Sequence, residues 1–275
     1  MKLTAIIGAY NEALFLNYCI KSIYNFVDEI IFIDEGMEAA ISAGYGKRST
    51  DGTSEIIDTY VRTSNKCFLA PLREKSPKSF KELSISAYEL AKKRNANWTF
   101  FICGDEIWPA NCLKPMKTIL SNFEKKGIMA LNVWMNIFAP DFWHYKDFRN
   151  PRLAKITEDV ELISGDAVCW PKRNLYQFAG SIDKFSPNYI AKSIKKINAD
   201  YPRTLKVFHY SCVGKERILF KIKFYNKFNG TCGDQYNKAY IEKDWKLFEK
   251  EGFKEFKGNH PNIMKNHPLH GEKLY

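Results

Sequence analysis

The chain has 275 residues, 45% of them apolar, enough to bury the core of one large domain or two small ones. Its 42 lysines and arginines against 31 acids leave a net charge of +11, which favours anionic partners: phosphorylated small molecules, anionic lipid surfaces or nucleic acid. Seven scattered cysteines with no Cys-x-x-Cys pair indicate neither a disulfide framework nor a zinc knuckle. With no leader-like start and no uninterrupted apolar run long enough to span a membrane, a reducing, cytoplasmic setting is expected.

Leu3 to Ile7 is a short β-branched run that stops at Gly8. Ala13 to Phe26 then carries Leu14, Ile20, Ile23 and Phe26 close to helical spacing, so the chain opens as strand, turn and helix. Val27 to Ile33 returns to strand and stops at Asp34-Glu35-Gly36, which closes a βαβ unit. Ser49-Thr50-Asp51-Gly52-Thr53 reads as a cap before a helix from Ser54 to Tyr60, Lys66 to Leu69 as a third strand, Phe80 to Arg94 as a strong helix and Trp98 to Ile102 as the next strand. This alternation, with continuous apolar strands, predicts an α/β fold built on a Rossmann-like, mostly parallel sheet covered by helices on both faces.

Further on, Asn111 to Lys126 is predicted helical, Ile128 to Phe138 extended, Ala139 to Arg152 a loop and Leu205 to Tyr210 a last strand. Lys215 to Phe228 and Lys238 to Glu251 read as basic helices rich in Phe, Tyr and Trp, forming a helical C-terminal extension. In the first of them Ile218, Leu219, Ile222 and Tyr225 share one face, suited either to core packing or to an anionic membrane surface.

Ligands of an open doubly wound sheet bind at the carboxyl ends of strands where the winding reverses. Three strands here end in acids or amides: Tyr10-Asn11-Glu12, Asp34, and Asp105-Glu106 in the stretch FFICGDEIW. A strand order of 3-2-1-4 brings all three ends to one crevice, where a divalent cation and a donor-rich ligand would make the clustered charge tolerable. Plainer readings stand beside this one: helix caps for Asn11-Glu12 and Asp105-Glu106, a turn for Asp34, a packed ring for His209, surface charge for Arg149 and Arg152.

AYNEALFLNYCIKSI, VDEIIFIDEG, STDGTSEIID and FFICGDEIW, in this order over roughly residues 1 to 110, resemble the successive motifs of an inverting family-2 glycosyltransferase with the GT-A fold. FRNPRL (Phe148 to Leu153) and VFHYS (Val207 to Ser211), followed by Lys221 and Tyr225, are similar to the distal half of the lipopolysaccharide-core glucosyltransferase-like branch. The resemblance implies that Ala9, Tyr10, Asn11 and Glu12 sit beside the nucleotide and that Asp34 holds its base or ribose. It implies that Gly104, Arg149 and Arg152 belong to the same nucleotide-sugar site. It implies, too, that Asp105 ligates a Mn²⁺ or Mg²⁺ ion bridging the sugar diphosphate, and that His209 completes the shell of metal or diphosphate. Residues 1–127 become the nucleotide-sugar-binding half, 128–214 the acceptor-binding half of the same domain and 215–275 the extension. The implied partners are a UDP-sugar as favoured donor, a saccharide or lipid-linked acceptor and a peripheral contact with the inner membrane face, with no nucleic acid.

Three departures qualify the likeness. Cys103 stands where the family has its first carboxylate, and a thiol is a poor ligand for hard Mg²⁺ though acceptable to softer ions. Residues Glu35 to Arg48 interrupt a motif that is otherwise compact, which predicts a loop overhanging the nucleotide pocket as a lid or acceptor loop. Val168-Cys169-Trp170 lacks the glutamate that would serve as base. Inversion needs a carboxylate to take the acceptor's proton, and the acceptor half offers Asp159, Asp166 and Asp183. Asp166 is favoured because Gly165 allows a turn toward substrate, and Asp159 stands next to it in rank. Two alternatives remain at this stage: a non-catalytic sugar-nucleotide binder, kept open by Cys103, and a basic nucleic-acid-binding protein, supported by charge but by no recognition motif.

Overall fold

Strand β1 (Leu3–Gly8) lies inside the sheet of the computed structural model, which describes residues 1–157, 160–164, 168–171, 198–228, 245–250 and 252–272. Strands β2 (Glu29–Ile33) and β4 (Trp98–Cys103) flank β1 in parallel, and β3 (Cys67–Leu69) extends the sheet beyond β2. The order is β3-β2-β1-β4, with the winding reversing at β1 as the sequence predicts. Side chains of β1 alternate between two cores, because successive residues of a strand point to opposite faces. Leu3, Ala5 and Ile7 pack with Phe15 and Ile20 of α1 (Ala13–Ile23) and Ile57 of α3 (Thr53–Thr63). Ile6 instead meets Ile31, Phe101 and the Ala87-Tyr88 pair of α4 (Phe80–Lys93). Fully burying an Ile or Phe contributes about 1.5–3 kcal/mol, so the strand ends are held rigidly from both sides.

After β4 the chain turns at Gly104 into the two-residue β5 (Glu106–Ile107). Two helices, α5 (Ala110–Leu113) and α6 (Met116–Lys125), replace the single one expected from Asn111 to Lys126. Pro115 separates them, since it lacks an N–H and crowds the turn before it.

Strands β6 (Ala130–Phe138) and β7 (His144–Lys155) form a long antiparallel ribbon whose second strand also pairs with β4. The loop expected over Ala139 to Arg152 is therefore largely strand. Phe148, Arg149 and their neighbours are partly exposed, so the ribbon shows no continuous apolar run. It carries one extra residue: Leu131 faces Leu153 while Asn132 faces Pro151, which leaves Arg152 as the bulge. A bulge re-aims a side chain, and Pro151, with no ladder N–H to lose, suits that break.

Beyond the ribbon, β10 (Asn198–Asp200) and β11 (Val207–His209) run parallel to β6, and β11 also takes β5 antiparallel. Segments from residue 3 to residue 209 thus share one sheet, parallel across its first four strands and mixed beyond, with β12 (Lys254–Glu255) on β7. β8 (Val160–Ser164) and β9 (Val168–Pro171) pair as a separate ribbon.

Helix α7 (Lys215–Phe228) lies across the short α2 (Glu38–Ser42), and α8 (Trp245–Lys250) follows later in the chain. Met37 and Ala40 pack with Phe224, and Tyr45 meets Phe220 edge-on at 4.8 Å. The insertion of Glu35 to Arg48 is therefore a brace under α7 and not an open loop. Helix α7 buries Arg217, Ile218, Ile222 and Phe224 and exposes Leu219, so its inward face differs from the Ile218-Leu219-Ile222-Tyr225 face predicted. Among the described residues no helix is long and apolar enough to cross a membrane.

Candidate functional site

The turn after β1 is held by the segment that carries STDGTSE. The amides of Asn11, Glu12 and Ala13 donate to Ser49 Oγ (2.8 Å), Thr53 Oγ1 (2.7 Å) and Asp51 Oδ2 (3.0 Å). These amides, which open α1, are thereby satisfied within the protein and not offered to a ligand. Asn11 takes φ 54°, a left-handed conformation that asparagine tolerates, and its Oδ1 accepts from Thr50 N at 3.1 Å. Asp34 is 1% exposed and accepts from Ser49 N (3.0 Å), Ser49 Oγ (2.5 Å), Ser54 Oγ (2.5 Å) and Arg48 Nε (3.1 Å). Four protein donors saturate this carboxylate, which staples the 48–54 segment to the end of β2. Neither Asn11 nor Asp34 lines the cavity described next.

That cavity, about 310 Å³, opens at the carboxyl ends of β1 and β4, where the winding reverses. Ala9, Tyr10, Glu12, Asp105, Arg152 and His209, all named from the sequence, line it. Gly104 sits behind them because a Cβ there would stand 2.9 Å from Glu12 Cβ, so only glycine lets the two strand ends approach. His209 arrives through strand pairing: β5 and β11 place it opposite Glu106, and Tyr210 N donates to Asp105 O at 3.0 Å. Its Nε2 stands 3.1 Å from Asp105 Oδ1.

The bulged Arg152 reaches Glu106, with Nε at 2.9 Å and Nη2 at 2.6 Å from Oε1, and both side chains are buried. Arg149, by contrast, leans outward on β7, pairs with Asp200 at 2.9 Å and does not reach the cavity. Asp166, Asp159 and Asp183 lie outside the described residues.

Helix α7 supplies two cations that sequence reasoning did not bring to the site. Arg217 donates to both oxygens of Glu12, one at 2.6 Å, to Asp105 Oδ2, and through Nε to Ser211 O at 3.1 Å. Lys221, one turn on, stands 3.4 Å from Asp105 Oδ2 and donates to Ser211 Oγ at 2.9 Å. Burial would raise the Asp105 carboxyl, but His209, Arg217 and Lys221 together hold it well below the usual carboxylate range. Burial, resisted by Arg217 and reinforced by the Asp105 charge, pushes the Glu12 carboxyl up to about 7. One guanidinium thus serves two carboxylates. The signal in the sequence was Arg217 and Lys221 at i and i+4, bracketing Ile218 and Ile222 on the stripe that faces inward.

Cys103, Asp105 and His209 bring one ligand atom each to within 4.8 Å of the others. Asp105 Oδ2 is taken by Arg217 and Lys221, whereas buried Oδ1 accepts no hydrogen bond apart from the His209 approach, and His209 Nδ1 makes no hydrogen bond among the described residues, with Glu106 Oε1 3.9 Å away. A carboxylate oxygen, an imidazole and a thiol converging in this way fit a divalent cation, and the thiol favours Mn²⁺ over Mg²⁺.

No family model matches the chain, and no curated protein matches it. Among solved structures it is similar to S. aureus TarS 1–349, at 13% identity and a TM-score of 0.41 over 92% of this chain and 74% of that one. A second structure of TarS 1–349, in complex with UDP-GlcNAc, gives 12% identity and 0.42 over 92% and 75%. Mannose-1-phosphate geranyltransferase from Thermus thermophilus gives 8% and 0.33 over 78% and 75%. Likeness at this level carries no chemistry; that has to come from the cavity itself.

Proposed function

We propose that the chain is a glycosyltransferase that moves a hexose, with inversion, from a nucleoside-diphosphate sugar, a UDP-sugar for preference, to a saccharide or lipid-linked acceptor. The observation that carries this reading is the cavity wall at the reversal point. There Lys221, Arg152 and His209 lie among Glu12 and Asp105, beside the rings of Tyr10, Phe80, Phe220 and Tyr225. Cations suit a diphosphate and flat rings suit a base, and the two stand side by side in one pocket. The motifs that resemble family-2 glycosyltransferases supply Tyr10, Glu12 and Asp105 to that wall.

In the reaction the acceptor hydroxyl oxygen attacks the anomeric carbon from the face opposite the diphosphate. The new C–O bond forms as the bond to the diphosphate breaks, the electron pair leaves with the nucleoside diphosphate, and the hydroxyl proton passes to a carboxylate. We assign that base to Asp166 first and Asp159 next, both in the acceptor half. Asp105 and His209, joined by Cys103, would hold a Mn²⁺ or Mg²⁺ ion, whose contribution when bound is to neutralise charge growing on the leaving diphosphate. Arg217 keeps Asp105 and Glu12 oriented, and Arg152 does the same for Glu106.

A panel of nucleotide sugars tests the reading. Slow hydrolysis of one UDP-sugar is expected, together with a rise in melting temperature on adding UDP that is larger in Mn²⁺ than in EDTA. No response to any nucleoside diphosphate, with stabilisation by an oligonucleotide instead, would overturn it.

A further inference from the structure

We infer that Lys221 is the residue that grips the diphosphate of the nucleotide donor directly, its ammonium turning from Asp105 to the phosphate oxygens as the donor enters. This rests on the glycosyltransferase reading and names a binding residue for it.

Among the described residues the charged groups that pair with one another at this wall are the three acids Glu12, Asp105 and Glu106 and the three permanent cations Arg152, Arg217 and Lys221, and Glu35 adds a further acid to the cavity lining. A wall with no cation in excess holds an added dianion only if a cation is released to it or a metal arrives with it. Two of the three cations are committed. Arg152 places two N–H groups on Glu106 Oε1, and Arg217 spans both oxygens of Glu12, Asp105 Oδ2 and the Ser211 carbonyl. Withdrawing either would leave a buried carboxylate without its guanidinium.

Lys221 is differently placed. Its 3.4 Å separation from Asp105 Oδ2 is long for a charge-assisted hydrogen bond, which normally closes to about 2.7–2.9 Å, and its good contact is the neutral hydroxyl of Ser211 at 2.9 Å. An ammonium has three N–H donors, and these two partners leave one over. If Lys221 turns away, Asp105 keeps Arg217 and His209. The side chain lines the cavity together with Ser211, Asp105 and His209. Its stem is fixed from behind: Arg217 anchors α7 one turn earlier, and Tyr45 and Tyr10 flank the neighbouring Phe220 at 4.8 Å and 6.0 Å.

Titration calorimetry of UDP and of uridine separates phosphate recognition from base recognition. Wild type, Lys221→Gln and Lys221→Arg are each measured in Mn²⁺ and in EDTA, with folding checked by thermal denaturation. Lys221→Gln is expected to weaken UDP roughly tenfold or more in both media, a loss of about 1.4 kcal/mol, while uridine affinity is unchanged and Lys221→Arg recovers most of the loss. Equal weakening of UDP and uridine would overturn the assignment, as would full UDP affinity in Lys221→Gln or a loss confined to Mn²⁺. A wild type that binds neither UDP nor uridine would remove the glycosyltransferase reading, and this assignment with it.

Discussion

Arg152 and Glu106 form a buried fork between β7 and β5, two N–H groups closing on one carboxylate oxygen at 2.6 and 2.9 Å with both side chains no more than 3% exposed. The fork exists because a bulge turns Arg152 out of the ladder register and because β5 is pinned to β11. It answers half of the question that two adjacent acids at a strand end raise: Glu106 is held by the protein, and Asp105 faces the cavity.

Breaking the fork from one side strands a charge in a dry environment. Arg152→Met is expected to lower unfolding free energy by about 3–5 kcal/mol, because Glu106 remains buried and unpaired. Arg152→Met combined with Glu106→Gln should recover much of that loss, since the double variant buries no uncompensated charge. Urea denaturation of the wild type, both single variants and the double variant measures the coupling. Simple additivity would show that the pair contributes nothing specific.

Two histidines in the C-terminal tail make stability depend on pH. His260 accepts from the Tyr210 hydroxyl at Nδ1 (2.9 Å) and donates from Nε2 to Phe142 O (2.8 Å). His267 donates to Leu14 O (3.1 Å) and stacks on Phe15 at 4.5 Å. Burial pulls each down to about 4 from the ordinary 6.5. Between those values the unfolded chain binds the protons and the folded chain does not, so the two rings lower stability as pH falls from about 6.5 to about 4, while Glu12, pushed up to about 7, binds its proton first in the folded chain and offsets about half of that loss. Each contributes up to about 3 kcal/mol of that loss. Chemical denaturation across this range should show the slope, and His267→Phe should flatten it at a lower overall stability. A flat profile in the wild type would sink the argument.

How much of this was legible beforehand follows the physics of each element. The runs at Leu3, Ile30 and Trp98 announce strands because they are buried on both faces, and the reversal at β1 follows from them. Asp105 and His209 could be placed at strand ends, but their meeting depends on β5, two residues long, which no periodicity reveals. The ribbon strand β7 was hidden because Arg149 faces water and Arg152 faces the site, which erases alternation. Asp34 shows what spacing does not reveal: an acid at a strand end reads as a ligand, and its bonds to the hydroxyls of Ser49 and Ser54, fifteen and twenty residues on, come only from the fold. Arg217 was unreadable as a partner of Glu12 because the two lie 205 positions apart and only the tertiary fold joins them.

In the proposed metal site Cys103 would set the preference of the Cys103–Asp105–His209 group. A thiolate is soft and strengthens binding of Mn²⁺ and Co²⁺ relative to Mg²⁺. Cys103→Asp should narrow the gap between Mn²⁺ and Mg²⁺ affinity by roughly tenfold or more, through a harder donor set. Competition of Mg²⁺ against Mn²⁺, followed by the electron paramagnetic resonance of free Mn²⁺, reads this directly. An unchanged selectivity would remove Cys103 from the ligand set.

The proposed inverting transfer requires a base, and the placement of the charges bears on where it would come from. Among the described residues the cavity acids are Glu12, Glu35 and Asp105. Glu12 and Asp105 are bound by Arg217, and Glu35 accepts from Arg73 N at 2.9 Å. In the proposed reaction these acids stand on the side where the diphosphate would sit, whereas in-line attack needs a carboxylate on the opposite face. Asp166 follows Gly165 in the sequence between β8 and β9, and Asp159 precedes β8 in the sequence; both lie outside the described residues. Asp166→Asn is expected to cut turnover by roughly a hundredfold or more while leaving UDP affinity within about twofold, because loss of general-base assistance typically costs 10² to 10⁴. Single-turnover transfer and UDP titration on Asp166→Asn and Asp159→Asn, side by side, decide between them. Full turnover in Asp166→Asn with loss in Asp159→Asn would move the base to Asp159.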